Sequence, residues 1–210
     1  MQAEFEARVT SLAIIDSYNA KLQIKLLTQA SDVMNLAPAK YPLSTVALHW
    51  LLVALVFALY GLGWHMVGIP KGTPPVTYFY NLHKSIGLLA AIPIVWLICW
   101  RLTHVAPPLP GTIPAWQVKA TKANHLTFYV CLVVMTLSGF IESNFTKYGI
   151  KFFGYQLPLL GWEDKAIYYL FNRIHVYTSY LFAALIVLHV AAALRHLLLE
   201  KDGVFQRMLP

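Results

Sequence analysis

The sequence predicts an all-α membrane protein, an up-and-down bundle of four transmembrane helices, and three observations predict it. Of the 210 residues, 58% are hydrophobic and only 12% are charged, with a mean hydropathy of +0.58. A soluble domain of this size carries about twice that charge. Four stretches, about 46–67, 82–101, 124–142 and 174–196, are long and apolar enough to cross a bilayer. Polar or Pro/Gly-rich joints separate them: Ile69 to Pro75, Pro107 to Gly111, and the longer segment 143–173. The 6 Trp, 12 Tyr and 11 Phe suit the aromatic belts of membrane interfaces.

Residues 1–40 form an N-terminal extension to which no function is assigned, and residues 41–210 form the membrane domain. Glu4 and Glu6 stand where a signal peptide needs basic residues, and no short apolar core with a small-residue cleavage site follows, so none is expected. Apolar positions near helical spacing (Leu12, Ile15, Leu22, Leu26, Val33) suit a helix lying on the membrane surface. A loosely ordered tail fits the same residues equally well.

Four spans put both termini on one side of the bilayer, side A, with side B opposite. Side A carries 10 of the Lys and Arg residues when both tails are counted and side B carries the other 6. Close to the spans the bias nearly vanishes, so the positive-inside rule favours a cytoplasmic side A only weakly. The formal net charge of +7 does not indicate nucleic acid, because the basic residues are scattered among loops and line no single face. Cys99 and Cys131 fall inside the second and third spans without metal-site or disulfide spacing, and are expected to be inert core thiols.

The chemistry is carried by the 8 histidines. His175 and His189 lie 14 residues apart in the fourth span. That spacing returns to within about 40° of the same helix face and separates the rings by roughly 21 Å along the axis. One helix thus offers an imidazole near each membrane surface, as two stacked haems require. A haem iron held by two imidazoles needs both at one depth on facing helices. For side B the partner of His175 is His83 or His65; for side A the partner of His189 is His49 or His125. His49 and His65 are 16 residues apart, about 160° round the helix. If His49 faces inward His65 faces out, which favours His83 on side B. On side A the helical wheel leaves His49 and His125 both open. Gly63 and Gly139 follow His49 and His125 by 14 residues each, and Gly87 follows His83 by 4, so the histidine-bearing faces carry glycines where a flat macrocycle could approach the backbone.

Other chemistries fit less well. A metal site wants ligands converging at one depth, commonly with carboxylates, and a proton-coupled transporter wants acids at mid-membrane or broken helices. The spans hold essentially no acid, since Glu142 lies at an end.

The chain resembles the bacterial cytochrome b561 family of four-helix di-haem cytochromes. The resemblance runs from about Tyr41 to Pro210 and rests on several short motifs in a particular order. These are Leu48-His49-Trp50-Leu51, Asn81-Leu82-His83-Lys84-Ser85-Ile86-Gly87, Asn124-His125-Leu126, Asn172-Arg173-Ile174-His175, Leu188-His189-Val190-Ala191-Ala192-Ala193-Leu194 and the tail Phe205 to Pro210.

The resemblance implies two haem b groups, with His49 and His189 as axial ligands on the cytoplasmic side and His83 and His175 on the periplasmic side. It implies a multi-pass protein of the bacterial inner membrane with cytoplasmic termini. His125 matches a position that is not usually axial and becomes a propionate or outer-sphere candidate, together with Arg173 and Lys84 on side B and Arg101 and Arg195 on side A.

Within that family the chain looks most like superoxide oxidase, which passes an electron from periplasmic superoxide to ubiquinone in the respiratory membrane. Side B carries Lys71, Lys84, Lys147, Lys151, Lys165 and Arg173 against Glu142, Glu163 and Asp164, a net of +3 that would attract a small anion. The segment from Leu157 to Phe171 is expected to form an interfacial helix over the side B haem. Besides lipid, the expected partners are ubiquinone and either superoxide or a redox protein. The competing readings are an electron-carrying cytochrome b subunit or anchor of a dehydrogenase or hydrogenase, which is no enzyme itself, and a transporter whose histidines relay protons.

Overall fold

The computed structural model describes residues 17–28 and 40–209. The chain divides into two units, Met1–Pro38 and Ala39–Pro210. In the first, residues 17–28 form a helix (α1) with Leu22 and Leu26 exposed; Leu12, Ile15 and Val33 lie outside the described residues.

The second unit contains four long helices: α2 (Leu43–Gly68), α3 (Pro74–Thr103), α4 (Ala115–Asn144) and α5 (Lys165–Arg195). Prolines set three of the starts. Pro42 and Pro114 immediately precede α2 and α4, and Pro74 opens α3, where a missing N–H costs nothing. Asp164 caps α5, its carboxylate accepting from the N–H groups of Ala166 (2.8 Å) and Ile167 (3.1 Å). Ile69-Pro70 stops α2, since the residue before proline is driven out of helical geometry.

The helices extend past the apolar runs. At 26 to 31 residues they reach roughly 39 Å or more, against about 30 Å of hydrocarbon. The largest departure is at α5. It begins at Lys165, so Tyr168 to Phe171 lie in its first turns, and residues 157–171 form no separate interfacial helix. Residues 157–164 are irregular because Pro158 and Gly161 break the pattern and Asp164 supplies the cap that starts the long helix.

On side B a hairpin of β1 (Lys151–Phe152) and β2 (Tyr155–Gln156) packs against α3, with Lys151 opposite Gln156 and Phe152 opposite Tyr155. Phe153 and Gly154 make its two-residue turn with φ of 45° and 98°, the positive values a primed turn demands. Ser85, 1% exposed, pins the hairpin to α3. Its single hydroxyl hydrogen is shared between the carbonyls of Asn81 (2.8 Å) and Lys151 (3.0 Å), and its oxygen accepts from Phe153 N–H (2.9 Å).

The helices alternate in direction. The backbones of α4 and α5 pack most closely, then α2 with α3 and α3 with α4, whereas α5 meets α2 and α3 chiefly through side chains. Leu52, Ala90, Ile94, Cys131, Leu132 and Phe182 form a buried apolar layer midway through the bundle. The outer faces carry exposed apolar side chains such as Phe57, Val95, Val133, Leu181 and Val187, as a lipid-facing surface must. Cys131 is the core thiol expected of it, but Cys99 is exposed on the outer face of α3.

Candidate functional site: two imidazole pairs across the bundle

Five of the histidines sort into two levels, one on each side of the apolar layer. On the side B level His83 (α3) faces His175 (α5), with ring centroids 6.3 Å apart. On the side A level His49 (α2) faces His189 (α5) at 6.4 Å, and His125 (α4) approaches His189 at 5.7 Å. Both ligand alternatives for side A therefore lie beside His189. Both principal pairs bridge α5 to another helix across the bundle interior, His83 from α3 and His49 from α2. A metal–imidazole bond of about 2.0–2.1 Å, plus ~1.1 Å from nitrogen to ring centre, puts two opposed ligand rings about 6.3 Å apart. The two wider separations match this distance.

The side B level is the more fully built. His175 Nδ1–H donates to the Met135 carbonyl of α4 at 2.9 Å, which holds the ring by one edge and leaves Nε2 as the nitrogen able to act as a ligand. Among the described residues, His83 Nδ1 is buried with no hydrogen-bond partner, and so is Glu142 Oε2. A buried polar atom without a protein partner is rare.

Two glycines stand beside these rings. A Cβ on Gly63 would lie 3.7 Å from His83 Cε1, and one on Gly139 would lie 3.1 Å from His175 Cε1 and Nδ1. Gly139 therefore leaves room for the imidazole itself. Gly87 lies instead against Leu59 of α2, 4.0 Å from its would-be Cβ.

Between the levels, Phe128 and Phe182 stack edge to face at 5.3 Å, and Phe128 also packs on His189 at 5.5 Å. Tyr60 of α2 donates to the Ser179 carbonyl of α5 at 2.6 Å, tying the helices together. His65 sits against Phe79 at 4.4 Å, away from His175, and His104 stacks on Trp100 at 3.6 Å.

The charged candidates are placed as follows. Lys84 is half-buried and donates to the Gly149 carbonyl at 3.0 Å, so it serves the hairpin and is not a free surface charge. Arg173 is exposed at the side B end of α5 and, with Ala166, Tyr169 and Leu170, lines a shallow surface cavity of about 380 Å³. Arg101 donates to Tyr129 Oη at 3.0 Å and lies over the Tyr41 ring at 5.5 Å. Arg195 pairs with Glu200 at 2.8 Å. His125 donates from Nδ1 to the Thr121 carbonyl at 2.9 Å, leaving Nε2 free. Sequence reasoning missed the Met135 carbonyl and the Ser85 anchor, because a backbone oxygen and a lone serine leave no mark in a periodicity.

A four-helix membrane bundle whose interior holds opposed imidazoles is the architecture of a b-type membrane cytochrome. The chain belongs to the prokaryotic cytochrome b561 family, whose sequence model matches residues 40–210. It is 30% identical over 176 residues to cytochrome b561 homolog 2 of Escherichia coli (strain K12), covering 82% of this chain and 92% of that protein. It is 25% identical over 175 residues to cytochrome b561 homolog 1 of the same strain, covering 81% and 97%. It is thus a membrane electron-transfer cytochrome of a haem b-binding family. The paired interior imidazoles and the buried, unpartnered His83 Nδ1 fit that group.

Proposed function

We infer that the chain binds two haem b groups, one held by His83 and His175 and one by His49 and His189, and that it oxidises superoxide at the expense of ubiquinone. The observation carrying the ligand assignment is the pair of ring separations, 6.3 and 6.4 Å, at two levels of one bundle. His125, closer to His189 at 5.7 Å, then takes an outer-sphere role. When bound, each haem supplies a one-electron couple buried in a low-dielectric interior.

The remaining work belongs to the protein. Met135 fixes the His175 ring, and the apolar layer around Leu52, Ile94 and Phe182 keeps water from between the levels. Lys71, Lys147, Lys151, Lys165 and Arg173 are exposed on side B, where they raise the encounter rate of a small anion. The chemistry balances as two superoxide anions, one ubiquinone and two protons giving two dioxygen molecules and one ubiquinol. The expected setting is the bacterial inner membrane, with side A and the termini in the cytoplasm and side B in the periplasm. Lys71, Lys147 and Lys151, which lie between the long helices on side B, are then periplasmic.

Purified protein tests this directly. A superoxide generator is expected to reduce the haem, and added ubiquinone to reoxidise it, both faster than the uncatalysed reactions. Reduction no faster than the uncatalysed rate would instead assign the chain to the second reading, an electron-carrying subunit of a partner dehydrogenase.

A further inference from the structure

Beyond α5 the backbone widens into a single π turn, His196–Glu200, and closes on Lys201, which is left-handed at φ 50° and ψ 35°. In an uninterrupted α-helix the residue six positions on lies about 240° round the axis, so Asp202 would face away from His196. The π turn and the left-handed residue bring it back.

His196 Nδ1 is consequently 2.7 Å from Glu200 Oε2 and 2.7 Å from Asp202 Oδ2, and the three atoms lie within 4.8 Å of one another. The side chains are only 16%, 26% and 14% exposed. Nδ1 carries at most one hydrogen, so it satisfies one carboxylate and leaves the two acids opposed across it. The outer oxygens are anchored elsewhere. Arg195 holds Glu200 Oε1 at 2.8 Å, and Asp202 Oδ1 accepts from Val204 N–H at 3.1 Å. One oxygen of each acid is thus tied back while the other is aimed at a shared point, the way outer-sphere contacts orient metal ligands.

We propose that His196, Glu200 and Asp202 bind a divalent transition-series cation of the zinc type at the side A end of the last helix. One imidazole nitrogen with two carboxylate oxygens suits zinc and leaves a position open to water. Magnesium and calcium prefer an all-oxygen shell. The site is separate from the imidazole pairs, since His196 follows His189 by 7 residues, roughly 10 Å along the axis.

The experiment is zinc binding to the haem-loaded, full-length protein in detergent, read by calorimetry and by metal analysis after dialysis. One zinc equivalent is expected that His196→Ala and Asp202→Asn each weaken by roughly tenfold or more, with the haem spectrum unchanged. Asp202→Asn keeps the oxygen that accepts from Val204, so it serves if His196→Ala fails to fold. A tenfold excess of magnesium is expected not to displace the zinc. Zinc binding unaltered in both variants, absent altogether, or displaced equally by magnesium overturns the proposal.

Discussion

His175 is held from behind by Met135. Its Nδ1–H donates across the helix boundary to that carbonyl at 2.9 Å, while Gly139, one turn further along α4, leaves the space the ring occupies. The neighbouring helix thus sets both the angle and the depth of the imidazole, and the geometry makes several outcomes predictable.

Gly139→Ala places a methyl group 3.1 Å from the His175 ring, where helix α4 cannot yield easily. A loss of about 1–3 kcal/mol is expected from overpacking, with a displaced side B haem signal. Gly63→Ala meets His83 at an ordinary 3.7 Å and is expected to be tolerated. Reduced-minus-oxidised spectra and thermal melts of the two variants make the comparison.

The side A level sets two rings beside His189, and substitution separates them. His49→Ala is expected to abolish the side A haem signal, and His125→Ala to retain it with a shifted potential. His175→Ala is expected to remove the side B signal alone. If His125→Ala erased a haem while His49→Ala spared both, the ligand assignment on side A would be reversed.

Ser85→Ala leaves Phe153 N–H without its partner in a part-buried position and removes the Ser85 link between the hairpin and α3. A cost of about 1–3 kcal/mol is expected. Hydrogen exchange should rise in residues 150–157 well before it rises in the helices, and equal protection in variant and parent would contradict this role.

Asp164→Ala removes two hydrogen bonds to the first turn of α5. The expected loss is about 1 kcal/mol, visible as a lowered melting temperature. Asp164→Asn, which keeps the acceptor oxygen, should recover most of it.

Anion steering predicts salt dependence. The second-order rate of haem reduction by superoxide should fall as ionic strength rises, and should fall at low salt in a Lys147→Glu, Lys151→Glu double variant. A rate indifferent to both, measured by stopped flow, would remove the side B lysines from the reaction.

Local pattern carried much of the fold. Apolar runs located all four long helices because a bilayer demands some twenty apolar residues whatever surrounds them. The 14-residue spacing of His175 and His189 already set two depths on one face. The boundaries were less legible. Helices α3, α4 and α5 run several residues beyond their apolar cores, since capping by Pro74, Pro114 and Asp164 decides where a helix starts. Near Leu157 to Phe171 the aromatic run resembled an interfacial helix, yet the cap at Asp164 gave its second half to α5.

By itself, then, the sequence determined the class, the number of spans, the two levels and the histidines able to occupy them. Those are consequences of hydropathy and of helical periodicity, both local. Tertiary structure decided which groups meet. It brought the Met135 carbonyl to His175, put Gly139 behind that ring and Gly87 against Leu59, and set both His49 and His125 beside His189. It also turned Asp202 back towards His196. These relationships depend on how helices rotate and pack and on one departure from helical winding, and no periodicity encodes either.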